Sequence, residues 1–278
     1  MGMDVFGIDF TSAPKRRKPI TCLRCFFDGT VLRASRLEEW PDFQQFELAL
    51  KRSGPWIAGI DFPFGQSRRF IENTGWPGDW ADYVAHAYSL GRAGFRDALK
   101  VYRDARPTGD KEHRRRTDIA AGSISPQKLY GVPVGLMFFE GAPRLAASGV
   151  TIPHLQRGDP DRIVVEAYPG VLARQVIGRR SYKNDTKKKQ TAEQQAARRD
   201  LLTALVNGDL RDRHGFEIDA GHELAEDPGG DHLDALLCAI QAAWAWQNRT
   251  RGFGAPSRLD SLEGWIADPV VADRHWQV

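Results

Sequence analysis

Three apolar segments of this chain each end in an acidic residue that is followed by a turn-forming sequence. They read GIDF with Asp9, GIDFPFG with Asp61 and VEAYPG with Glu166. A carboxylate in an apolar strand loses solvation unless it is paired or bound to a cation, so the recurrence requires a shared explanation. Because residues two apart share a strand face, Gly7 and Gly59 lie beside Asp9 and Asp61 and are expected to leave room for a ligand.

The last strong helical pattern, over residues 231–247, adds two more acids. Asp231 and Asp234 lie one turn apart beside its apolar stripe, so they can meet the ends of the strands. Clustered carboxylates repel one another, and oxygen ligands favour a hard divalent cation. We therefore predict an Mg²⁺ or Mn²⁺ site formed by Asp9, Asp61, Glu166, Asp231 and Asp234. A structural explanation is also open, in which Asp231 caps the helix and the other acids cap neighbouring elements.

The periodicity of the apolar residues predicts three antiparallel strands, a crossover helix and a fourth strand in the first quarter of the chain. The predicted strands span 5–10, 20–27, 30–37 and 56–62, and a fifth spans 162–168. Helices are predicted at 41–54, 171–177, 191–206 and 231–247, and near 79–103 and 136–148. The expected architecture is a single α/β domain over residues 1–278. It has a mixed five-stranded sheet flanked by helices and a largely helical insertion, about 66–160, between the fourth and fifth strands.

Several short motifs in this order resemble a known family. The segments GIDFTSAP, GIDFPFG, RTD, FEGAPRL, VEAYPG and DHLDALLCA are similar to a bacterial and archaeal family numbered 429 among the domains of unknown function. That family is described as predicted nucleases of RNase H fold. The order of elements, with acids on the first strand, the fourth strand and the last helix, also resembles RNase H-like nucleases, including RuvC-type resolvases.

The resemblance implies an RNase H-like sheet and metal-dependent hydrolysis of phosphodiester bonds. It makes Asp9, Asp61 and Asp234 metal-binding carboxylates, with Glu166 as a fourth and Asp231 as support. The catalytic set is then Asp9, Asp61, Glu166 and Asp234. In the general scheme, two Mg²⁺ ions about 4 Å apart are bridged by one carboxylate, here Asp9 or Asp61.

Three basic clusters, at 15–18, 114–116 and 179–189, stand out against a formal net charge of only +3. Two of them closely follow strands that end in the acidic centre, which favours contact with a phosphate backbone over a merely solvated face. Nucleic acid is therefore the expected partner, and Tyr182 is a candidate to stack on a base. The predicted substrate-binding residues are Lys15, Arg116, Lys183, Lys187 and Lys188.

Two other functions fit parts of the pattern. An actin-like ATPase or sugar-kinase-type phosphotransferase shares the strand order, and Gly229-Gly230 before a helix favours it. That superfamily uses two copies of the sheet, however, and the sequence shows one. The other alternative is a non-catalytic module that uses the basic loops to hold nucleic acid or a protein.

Three cysteines are too few for a disulfide framework, which favours a reducing cytoplasm. Cys22 and Cys25 form a C-x-x-C motif, but residues three apart on a strand point to opposite faces, so we expect no redox or zinc role. The sequence has no run of about 18 apolar residues, which argues against a membrane span and a signal peptide. Nothing in the sequence indicates an oligomeric state.

Overall fold

A seven-stranded mixed sheet flanked by helices forms the centre of the α/β fold in the computed structural model, which describes residues 2–184 and 186–274. The strands are β1 (Met3–Asp9), β2 (Ile20–Phe27), β3 (Val31–Trp40), β4 (Trp56–Ile60), β5 (Val150–Thr151), β6 (Asp159–Glu166) and β7 (Glu217–Asp219). Their order across the sheet is β5-β6-β4-β1-β2-β3-β7. The pairs β1–β2 and β2–β3 are antiparallel, as predicted, and the other neighbours are parallel.

The predicted count of five strands is too low. The five predicted strands correspond to β1, β2, β3, β4 and β6. The two additional strands, β5 and β7, contain two and three residues and lie at the two edges of the sheet. Segments this short carry no readable alternation of apolar and polar residues, so periodicity cannot find them.

Eleven α-helices are present in the described parts of the chain. They are α1 (Phe43–Leu50), α2 (Arg68–Thr74), α3 (Trp80–Ser89), α4 (Gly91–Asp104), α5 (Arg116–Ala121), α6 (Val134–Ser148), α7 (Pro169–Ile177), α8 (Ala192–Val206), α9 (Arg211–His214), α10 (Asp231–Gln247) and α11 (Pro269–Arg274). Helices α2 to α6 all lie between β4 and β6 in sequence. The single helical pattern near 79–103 is two helices, because Gly91 adopts a left-handed φ of 66° where they meet.

Helix α10 packs directly on the central strands, and this contact explains the two glycines beside the acids. A Cβ atom on Gly7 would lie 1.8 Å from the carbonyl oxygen of Ala235, and one on Gly59 would lie 2.3 Å from that of Cys238. The expectation that these glycines leave room for a ligand is therefore wrong. They let the backbone of α10 approach the sheet, which brings the first turn of that helix to the ends of β1 and β4.

The parallel register places the acids of three strands at one edge of the sheet. Ile8 pairs with Ile60, and Ile60 pairs with Glu166. Asp9 and Asp61 each follow by one residue, and the backbone N–H of Asp61 donates to the carbonyl of Ile8 at 3.0 Å. Asp9 and Asp61 therefore point to the α10 face of the sheet, whereas Glu166 lies in the row of Ile8 and Ile60 on the other face.

Cys22 and Cys25 are buried free thiols that belong to hydrophobic cores on opposite faces of the sheet, as the strand alternation predicts. Across residues 2–184 and 186–274, no helix is long and apolar enough to span a bilayer.

Candidate acidic site

The site is built from three elements that end or begin at the same edge of the sheet. Asp9 is the last residue of β1, Asp61 directly follows β4, and Asp234 lies in the first turn of α10. Each carboxylate is close enough to affect the ionisation of another: the charge of Asp234 raises the pKa of both Asp9 and Asp61. The structure thus brings together three of the predicted metal-binding residues.

Asp9 and Asp61 are carboxylates without a hydrogen-bonding partner. Asp9 is only 8% exposed, yet neither side chain accepts a hydrogen bond or forms an ion pair within the described residues. Burial, with the nearby charges of Asp234, Asp231 and Asp61, raises the pKa of Asp9 well above its ordinary value. Burial and the charge of Asp234 raise the pKa of Asp61 to about 7. Such groups are costly for a fold unless a bound cation or ligand compensates them.

Lys183 and Tyr182 both bind Asp234, which is fully buried. The ammonium group of Lys183 donates to Oδ2 of Asp234, and the hydroxyl of Tyr182 donates to Oδ1 at 2.6 Å. Burial alone would lower the pKa of Lys183, but the carboxylate of Asp234 holds it well above its ordinary value. Tyr182 is 9% exposed and packs in the core, so the interpretation that it stacks on a base is wrong.

Asp231 is paired with a second lysine at the same edge. Nζ of Lys18 lies 2.7 Å from Oδ1 of Asp231. Asp231 is the first residue of α10, and Gly230 occupies the N-cap position, so Asp231 does not cap the helix. Its backbone N–H is bound instead by the carboxylate of Asp227 at 2.7 Å. Residues 15–18 were singled out by charge, but nothing in the sequence indicated this pairing.

Glu166 belongs to a buried ion-pair network on the other face of the sheet. The guanidinium of Arg115 contacts both of its oxygens, at 2.5 and 2.8 Å, and the N–H of Phe64 donates to Oε2 at 2.9 Å. The same guanidinium binds both oxygens of Asp118, at 2.9 and 3.0 Å. Burial raises the pKa of Glu166, although Arg115 opposes this shift. Sequence analysis placed Arg115 only in the basic cluster 114–116 and did not predict its burial. It is 1% exposed, and a run of charges does not show which of its members is buried.

The predicted substrate-binding residues divide into two groups. Lys183 lies inside the acidic site, as described above. The other four, Lys15, Arg116, Lys187 and Lys188, have exposed side chains. Lys15 lies in the loop after β1, Arg116 begins α5, and Lys187 and Lys188 belong to a short 3-10 helix, Lys187–Lys189.

The donor set suits a hard divalent cation, because Asp9 and Asp61 offer carboxylate oxygens that no side chain in the described part of the chain uses. In the arrangement seen here, no group of three acidic, histidine or cysteine side chains converges on one point at metal-binding spacing within residues 2–184 and 186–274. In this arrangement Lys183 and Tyr182 each contact one oxygen of Asp234. A cation bound by all three aspartates would displace Lys183 from one of these oxygens.

Two cavities open at the site. One, of about 200 Å³, is lined by Asp9, Ser12, Lys18, Asp61 and Lys183. The other, of about 230 Å³, shares Asp61, Val132, Met137 and Lys183 with the first and extends to Glu166 and Tyr168. Asp61 and Lys183 therefore stand where the two cavities meet.

Comparison with known protein families gives a match over most of the chain. No curated protein sequence and no solved structure matches the chain. One family model, described as a protein of unknown function (DUF429), matches residues 7–258, which include all the acids of the site. The match extends over most of the 278 residues, so the chain belongs to the DUF429 family.

Proposed function

We propose that the protein is a metal-dependent nuclease that hydrolyses phosphodiester bonds at the Asp9–Asp61–Asp234 site. The observation that carries the proposal is the pair of unpartnered carboxylates, Asp9 and Asp61, on adjacent parallel strands beside a third on α10. The strand order β3-β2-β1-β4-β6 within the sheet, with acids on β1, β4 and a helix packed on both, supports an RNase H-like fold for this site.

Asp9, Asp61 and Asp234 would hold Mg²⁺ or Mn²⁺, whose chemistry is to activate a water molecule and stabilise the charge that develops on the phosphate. Asp231 supports the set from the first turn of α10, where the positive end of the helix dipole stabilises carboxylates. Glu166 is assigned a positioning role, because Arg115 and Phe64 use its oxygens.

The side chains of this site have defined tasks in hydrolysis. The water oxygen forms a bond to phosphorus, the bond from phosphorus to the leaving sugar oxygen breaks, and that oxygen takes up a proton. Asp61 would hold the cation beside the attacking water, and the proton that this water loses would pass to the surrounding solvent. Lys183, which a bound cation would displace from Asp234, would supply a positive charge that attracts the phosphate.

The phosphotransferase alternative receives no support from the turn that favoured it. The N–H of Gly229 is bound by the carboxylate of Asp227 at 3.0 Å, and the N–H of Gly230 by the carbonyl of the same residue at 3.0 Å. A phosphate-binding loop needs such N–H groups to be available to the ligand.

Hydrolysis assays with labelled DNA and RNA, single-stranded and duplex, in Mg²⁺, Mn²⁺ or EDTA test the proposal. We expect cleavage that needs the divalent ion and that falls by orders of magnitude in Asp9→Asn, Asp61→Asn and Asp234→Asn. Asp4→Asn is the matched control, because Asp4 lies on the same strand as Asp9 but is exposed and paired with Arg24. Metal-independent cleavage, or equal loss in the control, would contradict the proposal.

A further inference from the structure

The 230 Å³ cavity differs in character from its neighbour. Its walls are largely apolar and include Ile124, Val132, Val134, Met137 and Ile266. Polar and charged residues, which include Asp9 and Lys18, form a larger share of the lining of the other cavity, although Val132 and Met137 line both. A phosphate group held between Asp61 and Lys183 would therefore have a polar space on one side and an apolar space on the other.

Two of the apolar wall residues are unusually exposed. Ile124 is 42% exposed and Val132 is 52% exposed, on the segment between α5 and α6. Neither side chain contributes much to the core, so folding does not account for their position. Exposed apolar side chains that gather around a cavity are typical of a ligand-binding site.

The floor of the cavity is polar, but its hydrogen-bonding groups are already used. Arg115 binds Glu166 and Asp118, and the hydroxyl of Ser123 donates to Asp118 at 2.9 Å. A ligand there would be held mainly by apolar contact with the walls, because the ring of Tyr168 is covered by the guanidinium of Arg174, 5.3 Å from the ring centroid. Such contacts favour a flat aromatic ligand and discriminate weakly among its polar edges.

We propose that this cavity binds the base of one unpaired nucleotide next to the phosphate that is cleaved. The proposal rests on the proposed function and specifies its substrate as single-stranded nucleic acid. Every internal phosphodiester has a nucleoside on each side, so a phosphate at Asp61 and Lys183 directs one base toward the apolar space. The cavity volume of about 230 Å³ lies below that of pockets that enclose whole drug-sized ligands, which suits one base and excludes a base pair. Bases in a duplex are stacked and paired, so a base of an unpaired strand can enter the cavity at a lower cost in free energy.

A binding experiment with paired variants tests the inference. Fluorescence anisotropy in Ca²⁺ buffer would measure the affinity for one labelled DNA strand, alone and as a duplex. We expect the double variant Ile124→Ser/Val132→Ser to bind the single strand about tenfold more weakly and the duplex unchanged. The control Leu48→Ser/Val101→Ser alters two exposed apolar residues on α1 and α4, 58% and 69% exposed, and should change neither affinity. An equal loss for both substrates, or no loss for either, would overturn the inference.

A scan with abasic nucleotides separates base binding from backbone binding. One base at a time is removed along the single strand, and cleavage in Mn²⁺ is measured. We expect about a tenfold loss at the single position that flanks the cut and little change elsewhere. A uniform effect along the strand would contradict a base-binding cavity.

The two proposals fail in different ways. If no substrate is cleaved but single-strand affinity still depends on Ile124 and Val132, the nuclease proposal fails and the base-binding cavity stands. If single strands and duplexes are cleaved equally and the double variant cleaves like the unaltered protein, the nuclease proposal stands and this inference is wrong.

Discussion

The ammonium group of Lys183 lies against the fully buried carboxylate of Asp234, at the point where α10 meets the ends of β1 and β4. The chain thus supplies its own cation to a site where three aspartates would otherwise repel one another. Since Lys183 is 39% exposed, its side chain can reach toward solvent while Asp234 cannot. Because of this difference in exposure, we expect the ammonium group of Lys183 to leave Asp234 when another cation binds.

Replacing Lys183 by Met should destabilise the metal-free protein by about 3 kcal/mol, because Asp234 keeps a buried charge and loses its main partner. Mn²⁺ should then raise the melting temperature more than it does in the unaltered protein, since it binds without displacing a lysine. Thermal melts in EDTA and in Mn²⁺ measure both effects. Lys15→Met, at an exposed position, is the control and should change neither value. Equal stability of Lys183→Met and this control in EDTA would show that Lys183 does not stabilise the acidic site.

The metal-free protein should lose stability as the pH rises from about 4 toward 7. Asp61 has a pKa of about 7 in the folded protein, above the value of about 3.9 for an unfolded aspartate, so the folded state binds more protons in this range. The stability that protonated Asp61 contributes is therefore fully present below the pKa of an unfolded aspartate, and it is lost as the pH rises through 7. Urea unfolding in EDTA at several pH values should show a shallower decline in Asp61→Asn. A decline of the same slope in both proteins would exclude Asp61 as its source.

Glu166→Gln should weaken the ion-pair network around Arg115 without weakening the binding of Mn²⁺. Arg115 and Glu166 are both almost fully buried, so removing one charge should cost about 3 to 5 kcal/mol. The Mn²⁺-induced shift in melting temperature should stay close to that of the unaltered protein, because Arg115 and Phe64 already use the carboxylate. A lost Mn²⁺ shift with unchanged stability in EDTA would instead make Glu166 a metal ligand.

The lysines of the 3-10 helix Lys187–Lys189 are exposed and should contact phosphates. Replacing Lys187, Lys188 and Lys189 together with Ala should weaken nucleic-acid binding and reduce the slope of log affinity against log salt by about two to three. Anisotropy titrations at several salt concentrations measure the slope. An unchanged affinity and slope would identify this segment as a solvated face.

Sequence patterns predicted the elements that bury many side chains and missed those that depend on pairing in space. The predicted ranges of β2 and of α10, with its long apolar stripe, match the structure. Periodic burial requires apolar residues at regular spacing, and that spacing is visible in the sequence. The placement of Asp9 and Asp61 at one edge of the sheet followed from parallel strands that end there. The roles of Gly7 and Gly59 were misread, because the backbone of α10 that fills the space beside them comes from residues more than 170 positions away.

The contacts of the basic residues were the least predictable part of the site. Charge runs located Lys18, Arg115 and Lys183, but their partners Asp231, Glu166 and Asp234 lie 213, 51 and 51 positions away. Such pairs depend on how loops return to the sheet edge, and a single sequence does not encode that distance in any local pattern. The burial of Tyr182 follows from the same loop and was missed for the same reason.

Calorimetric titration of the metal-free protein with Mn²⁺ shows whether Asp9, Asp61 and Asp234 form a divalent-cation site. We expect saturable binding by the unaltered protein and by Asp4→Asn. The affinity of Asp61→Asn should be at least tenfold weaker, and its melting temperature in EDTA should be no lower than that of the unaltered protein, because repulsion in the cluster falls. Equal Mn²⁺ affinity in Asp61→Asn and the unaltered protein, together with a destabilised Asp61→Asn in EDTA, would show that these aspartates do not form such a site.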